Sequence, residues 1–373
     1  MNCRYRIFLA ALILAFLCVS CKNKEEQSGH PTLSVALYPY LQSKDYARKI
    51  IDEIWDRHNT GWKLEFKDWN CYFDGPRADI DVFCIDCLFE QYYTKEGMIS
   101  AIPGTDIIDR DDFYDCFDLS GECCGIPFML CQDFLIYPER DLQMADAVNA
   151  LDLLNYAGAG NVWTLTAGNM NGIYLRAWAD IYGYEGVFHT TDIDGKVLEK
   201  MKPYLALGGK KAAATHSEET ARAFISGDGR AYVGFPEVFS LLKEYPEPLS
   251  VINFSITGDK RSNYFYADKI CVNRSVIDKE KRKAAILLAN ILCSREFQER
   301  YITNESNCLF YIPARPSASR SLEKSQPFYH FADSLASANS AVILYGDESF
   351  REYNEHILSK MTKVLDVASR QSE

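Results

Sequence analysis

Short apolar runs alternate with helix-period stretches along this chain, and that alternation leaves few folds open to it. Residues 33–40 form an alternating-to-apolar strand closed by a proline. Residues 42–58 then carry Tyr46, Ile50, Ile51, Ile54 and Trp55 at helical spacing. Residues 62–69 and 80–85 read as the next strands, with a helix following to about 95. Strands alternating with helices predict a mostly parallel, doubly wound sheet. The pattern resumes after a break. Residues 126–137 read as one long apolar strand, 145–157, 169–184 and 217–226 as helices, and 230–235 as a strand with a helix beginning at 236. Residues 263–273 are strand-like, 278–302 a long amphipathic helix, and 329–338 and 350–368 helical. A chain of 373 residues exceeds what one core serves, so two α/β lobes are expected. The first takes 32–130 plus about 255–315, the second 131–254 plus about 316–373.

The first thirty residues are of another kind. Arg4 and Arg6 precede an uncharged apolar run from Ile7 to Val19, too short to span a bilayer as a mature helix but suited to export. The run ends in Leu17-Cys-Val-Ser-Cys21, similar to a bacterial lipoprotein cleavage box although Cys18 stands where a larger aliphatic residue is usual. Residues 1–20 are thus expected to be a lipoprotein signal peptide, Cys21 the lipidated residue, and 21–31 a polar tether. An ordinary cleaved signal peptide is the alternative. The expected location is the cell envelope, with membrane contact through the lipid anchor only. A tethered, two-lobed α/β chain has the architecture of a type II periplasmic binding protein, with a ligand cleft between the lobes.

Charge and cysteine narrow the chemistry. The formal net charge is −12, which disfavours nucleic acid and anionic lipid as partners and suits a cationic ligand. Of thirteen cysteines, ten lie beyond Cys21. Cys84 and Cys87 have the spacing of a redox or metal pair, but they sit in a strand-like apolar run. No second paired-cysteine knuckle follows at zinc spacing, and Cys123-Cys124 fall in a glycine-flanked turn. These pairs are read as structural, and no metal or cofactor is called for.

Cys131 differs, standing in Gly125-Ile-Pro-Phe-Met-Leu-Cys131 where one lobe hands over to the other. To react it must lose its proton, which needs a neighbouring base or a lowered pKa. Glu237 follows a strand and Pro236 at a helix start. The helix dipole would favour its anion and burial would oppose it, a balance suited to a base near neutrality. Taken singly, each residue also fits packing or capping.

The segments Val35-Ala-Leu-Tyr-Pro-Tyr40, Leu64-Glu-Phe-Lys-Asp-Trp69, Asp81-Val-Phe-Cys-Ile-Asp86, Gly125–Cys131, Gly227-Asp-Gly-Arg-Ala-Tyr-Val-Gly-Phe-Pro-Glu237, Tyr266-Ala-Asp268 and Tyr311-Ile-Pro-Ala-Arg315 resemble thiaminase I, the thiamine pyridinylase family. They run in the same order from about 33 to 316. The resemblance implies a two-lobed binding-protein fold and an enzyme that transfers the pyrimidylmethyl group of thiamine to an amine or thiol, without a cofactor. It places Cys131 at the nucleophile that adds to the pyrimidine ring and Glu237 at the general base. Asp86 and Asp268 fall on acidic positions beside the pyrimidine, and Tyr38, Tyr40, Tyr72 and Tyr266 on or near cleft aromatics. A monomer is implied by the fold.

Departures bear on substrate more than on chemistry. Phe235 stands where tyrosine is expected, Pro236 replaces a small polar residue, and 140–215 match poorly. Two rivals stay open. One is a lipoprotein that binds thiamine or another small solute for a transporter. The other is a redox or metal protein using Cys84, Cys87, Cys123 and Cys124.

Overall fold

The computed structural model describes residues 30–73, 75–164, 169–184, 188, 192–208, 217–304 and 308–371. The leader, Cys21 and the tether through residue 29 lie outside the described residues.

The chain opens with β1 (Thr32–Ala36), β2 (Lys63–Phe66) and β3 (Val82–Asp86), with β1 parallel to both of the others. The helix Lys44–Arg57 joins β1 to β2 and turns Ala47, Ile50, Ile51, Ile54 and Trp55 inward, one face at the helical period. After the short β4 (Ile99–Ser100), the strands β5 (Ile102–Pro103) and β6 (Glu122–Cys123) pair in a ribbon of their own. β7 (Ile126–Cys131) then returns to the first sheet.

The apolar run 126–137 is two strands, not one. β7 ends at Cys131, and β8 (Phe134–Pro138) belongs to a second sheet. Between them Gln132 and Asp133 are wholly buried, and Asp133 pairs with the equally buried Arg176. A charge compensated in place can stand inside an apolar run, and the chain changes sheets there. The second sheet adds β9 (Val162–Trp163), β10 (Ala231–Gly234) and β11 (Leu249–Ile252), in the order β11-β8-β10-β9. The helices Ala150–Ala157, Met170–Tyr182 and Gly195–Gly208 share its core through Leu153, Ile173, Val197 and Met201.

Residues 253–263 carry the chain back to β12 (Tyr264–Asn273), which lies antiparallel between β3 and β7. β13 (Ile312–Pro313) edges β7, and β14 (Val342–Ile343) pairs with β12. The first sheet therefore runs β13-β7-β12-β3-β1-β2 and is mixed, where the β–α alternation predicted a mostly parallel one. The reason is topological: β12 re-enters at the end where β7 left, so it must run back against it. The two crossovers are bonded side by side. Gln132 Nε2 donates to the Ser262 carbonyl at 3.2 Å, and Arg176 donates to the Phe254 carbonyl at 2.6 Å. The stretch 278–302 is also divided, into helices Lys279–Leu292 and Arg295–Ile302, because the Ser294 hydroxyl caps the second by accepting the Phe297 N–H at 3.1 Å. The last helix, Phe350–Gln371, packs on Met170–Tyr182.

Candidate active site

Strand register assembles half of the site. Cys131 on β7 pairs with Tyr266 on β12, and Asp268 on β12 pairs with Asp86 on β3. Directly opposed residues share a face, and so do residues two apart on one strand. Cys131, Tyr266, Asp268 and Asp86 thus form one row across three adjacent strands, with a register shift just after Asp268.

The other half comes from the second sheet. β10 ends at Gly234, and Pro236 opens a 3-10 turn, Pro236–Val238, that carries Glu237. The Cys131 thiol points its proton at Glu237, with Sγ to Oε1 3.6 Å. Glu237 Oε2 is buried without a partner. Burial raises the Glu237 carboxyl from 4.5 to about 7, against hydrogen bonds from its own backbone and from the thiol that pull it down. The balance left open by sequence is therefore decided for burial. Beneath this carboxylate stand only a three-residue turn and the four-residue helix Phe239–Leu242, too little aligned backbone to hold it ionised. The Cys131 thiol is pushed well above its ordinary value by burial, then by the charges of Glu237, Asp268 and Asp133. At rest the sulfur is protonated, and a base must take that proton for it to react.

The remaining acids lie alongside. Asp86 Oδ1 accepts the Leu88 N–H at 2.8 Å, and Oδ2 accepts the Tyr72 hydroxyl at 3.1 Å. Burial raises Asp86 to about 6, with those two bonds holding it back. Asp268 is raised well above its ordinary value, by burial first and then by the Asp86 and Glu237 charges. Asp86 is thus the carboxylate equipped to stay ionised and Asp268 the one equipped to carry a proton. Among the described residues none of Asp86, Asp268 and Glu237 forms an ion pair, so the site has room for a positive charge.

Tyrosines wall one side. The hydroxyls of Tyr38 and Tyr72 meet at 2.8 Å, and the rings of Tyr38, Tyr40 and Tyr72 lie 5.8–6.3 Å apart by centroid. Tyr40 is 61% exposed, so its ring is open to solvent or ligand rather than committed to core. Tyr266 is buried, with its ring edge-on to Phe235 at 6.2 Å. The structure therefore gathers Cys131, Glu237, Asp86, Asp268, Tyr38, Tyr40, Tyr72 and Tyr266 around one region.

The paired cysteines do not join it. Cys84 and Cys87 are buried in apolar core, while Cys123 is buried and Cys124 half-buried beside the Thr94 hydroxyl. All ten described cysteines are free thiols, and among the described residues no group of three or more His, Cys, Asp or Glu could hold a metal ion. Sequence reading missed two contributors. Asp133 was hidden inside what read as a strand, and Gln42, whose Nε2 donates to the Glu237 carbonyl at 3.3 Å, carries no local signal at all.

Two sheets joined by bonded crossovers, with polar groups converging where the chain passes between them, define the periplasmic-binding-protein-like class. The chain superposes on an ABC substrate-binding protein from Listeria monocytogenes, solved with cycloalternan, at a TM-score of 0.66 and 15% identity, covering 91% of this chain and 95% of that one. Superposition on Clostridium botulinum thiaminase I, solved with thiamin, gives a TM-score of 0.83 at 24% identity over 90% of this chain and 100% of that one. In sequence, thiaminase-1 of Paenibacillus thiaminolyticus is 24% identical over an alignment of 402 residues, 98% of this chain and 97% of the relative. No protein-family model matches the chain. The resemblance read from the sequence is borne out: the chain is similar to thiaminase I in sequence over 98% of its length and in fold over 90% of it.

Proposed function

We propose that this protein degrades thiamine as a thiamine pyridinylase, transferring the pyrimidylmethyl group to an amine or thiol through a covalent adduct on Cys131 with Glu237 as base. The observation that carries the reading is the Cys131 Sγ to Glu237 Oε1 approach of 3.6 Å, made between residues 106 positions apart, one ending β7 of the first sheet and one in the turn after β10 of the second. A pure binder needs neither group. Glu237 takes the thiol proton as sulfur adds to a carbon of the pyrimidine ring. The electron pair displaced from that carbon moves to a ring nitrogen, which takes a proton from Asp268, and Asp86 stays available to the exocyclic amino group. The electron-rich adduct expels neutral thiazole from the bridging methylene. Glu237 releases that first proton to solvent, and an amine or thiol then bonds to the methylene and gives its own proton to Glu237. As the ring is restored, Glu237 returns this proton to the departing Cys131 sulfur while the ring nitrogen returns its proton to Asp268. The tyrosine wall suits the face of a flat cation.

The same reading places the protein in the cell envelope as a monomer lipidated at Cys21. Mass spectrometry of the mature amino terminus, with Cys21→Ser as the unlipidated control, tests that part. The enzyme reading is tested with purified residues 22–373, thiamine and a small aromatic amine. Turnover by the parent and none by Cys131→Ser is expected. Tight thiamine binding by both with turnover by neither would make the protein a solute-binding lipoprotein, the role that its likeness to substrate-binding proteins favours.

A further inference from the structure

Little holds the Glu237 carboxylate itself. Oε1 meets the thiol and Oε2 is buried without a partner. Its backbone carbonyl, by contrast, receives two donors. One is Ser240 Oγ from its own lobe at 3.3 Å, and the other is Gln42 Nε2 from the opposite lobe, also at 3.3 Å.

Gln42 is firmly placed. It stands in the turn between β1 and the helix Lys44–Arg57. The Tyr311 hydroxyl accepts its N–H at 3.0 Å, and the Tyr301 hydroxyl donates to its carbonyl at 2.5 Å. Those two buried rings stack at 5.8 Å, and Tyr301 stacks in turn on Phe297 at 5.6 Å. The Tyr311 hydroxyl also donates to the Tyr40 carbonyl at 3.5 Å, tying Gln42 to the tyrosine wall. The turn is thereby fixed to the first lobe, and the amide it projects bonds Glu237 across the cleft.

We infer that Gln42 is a positioning residue: a first-lobe donor that fixes the Glu237 backbone opposite Cys131, so that the base faces the nucleophile only in the closed cleft. The inference rests on the reading of Cys131 and Glu237 as nucleophile and base. Opening the cleft to admit substrate breaks this bond, and closing over substrate remakes it, so the thiol loses its proton after the ring is in place.

The test uses Gln42→Met, which keeps length but removes the donor, and Gln42→Lys, which keeps a donor. Alkylation of Cys131 by iodoacetamide, in which sulfur displaces iodide and the thiol proton leaves to Glu237, is followed across pH by peptide mass spectrometry. That readout separates Cys131 from the other thiols and does not depend on thiamine. Thiamine turnover is measured beside it. In the parent, alkylation rises through the ionisation of Glu237. Gln42→Met should flatten that rise and lower both alkylation and kcat by roughly 10- to 100-fold. Its KM should move by less than about twofold, and Gln42→Lys should recover most of the loss. A parent-like profile in Gln42→Met would overturn the inference. So would an equal loss in Gln42→Lys at an unchanged melting temperature, or an equal loss in Ser240→Ala, which removes only the same-lobe donor. A parent whose Cys131 shows no such rise fails the nucleophile–base reading itself, and the positioning role with it.

Discussion

Cys131, Tyr266, Asp268 and Asp86 stand on three adjacent strands of one sheet, whereas Glu237 reaches them from a short turn at the end of the other. The first group is set by ladder register, and nothing short of a strand slip moves one member relative to another. The second is a single side chain whose carboxylate touches one thiol and whose backbone is steadied from both lobes. Under the proposed reaction, electrophile activation and nucleophile would thus share one rigid face, and the base would reach them from the other sheet's side of the cleft.

The sharpest way to break this contrast is to remove the two groups proposed to react. Cys131→Ser should abolish thiamine turnover, and Glu237→Gln should lower kcat by about 10²–10⁴-fold, the range of a lost general base, with thiamine affinity retained by both. Steady-state kinetics beside equilibrium binding would check this, and a Glu237→Gln enzyme with full kcat would remove the base from the scheme. The contrast should also appear in stability. Asp133→Asn leaves Arg176 charged and uncompensated beneath the crossover, at a cost of about 3–5 kcal/mol in denaturant unfolding.

Titration sharpens the comparison further. Glu237 has its folded pKa raised from 4.5 to about 7, so whatever stability it contributes is complete below 4.5 and is lost as pH rises through 7. Glu237→Gln should therefore be more stable than the parent by about 3 kcal/mol at pH 8, with little difference at pH 4. The parent's kcat/KM should rise with pH through about 7 as the base ionises. Melting curves and a pH–rate profile supply both measurements, and identical melting of mutant and parent at pH 8 would argue against a buried, strained carboxyl. The smallest effect is expected at Tyr72→Phe, which removes one donor from Asp86 and one partner from Tyr38. It should cost about 1 kcal/mol and raise the Asp86 pKa further above 6, visible as a shifted carboxyl resonance in an NMR titration.

Much of this was legible before any coordinates. The period of apolar residues located the helix Lys44–Arg57 and the strands β1, β3 and β12, because that signal is carried by near neighbours in sequence. Ordered segments gave the resemblance to thiaminase I, and with it Cys131, Glu237 and the acids and tyrosines now seen together. The same periodicity misread 126–137 as one strand, since a run of buried residues looks alike whether it stays in one sheet or passes between two. Glu237 shows the limit most clearly. Pro236-Glu237 announced a helix start, and from that alone dipole and burial opposed each other. Burial is a property of everything that closes around a group, and here it comes from a thiol 106 residues away and a first-lobe turn 195 residues away. The sequence by itself located most of the elements in order and singled out the residues now proposed to react. Only the tertiary structure decided that Glu237 faces Cys131, that burial raises its carboxyl and which distant amide bonds its backbone, because those depend on contacts that no local pattern encodes.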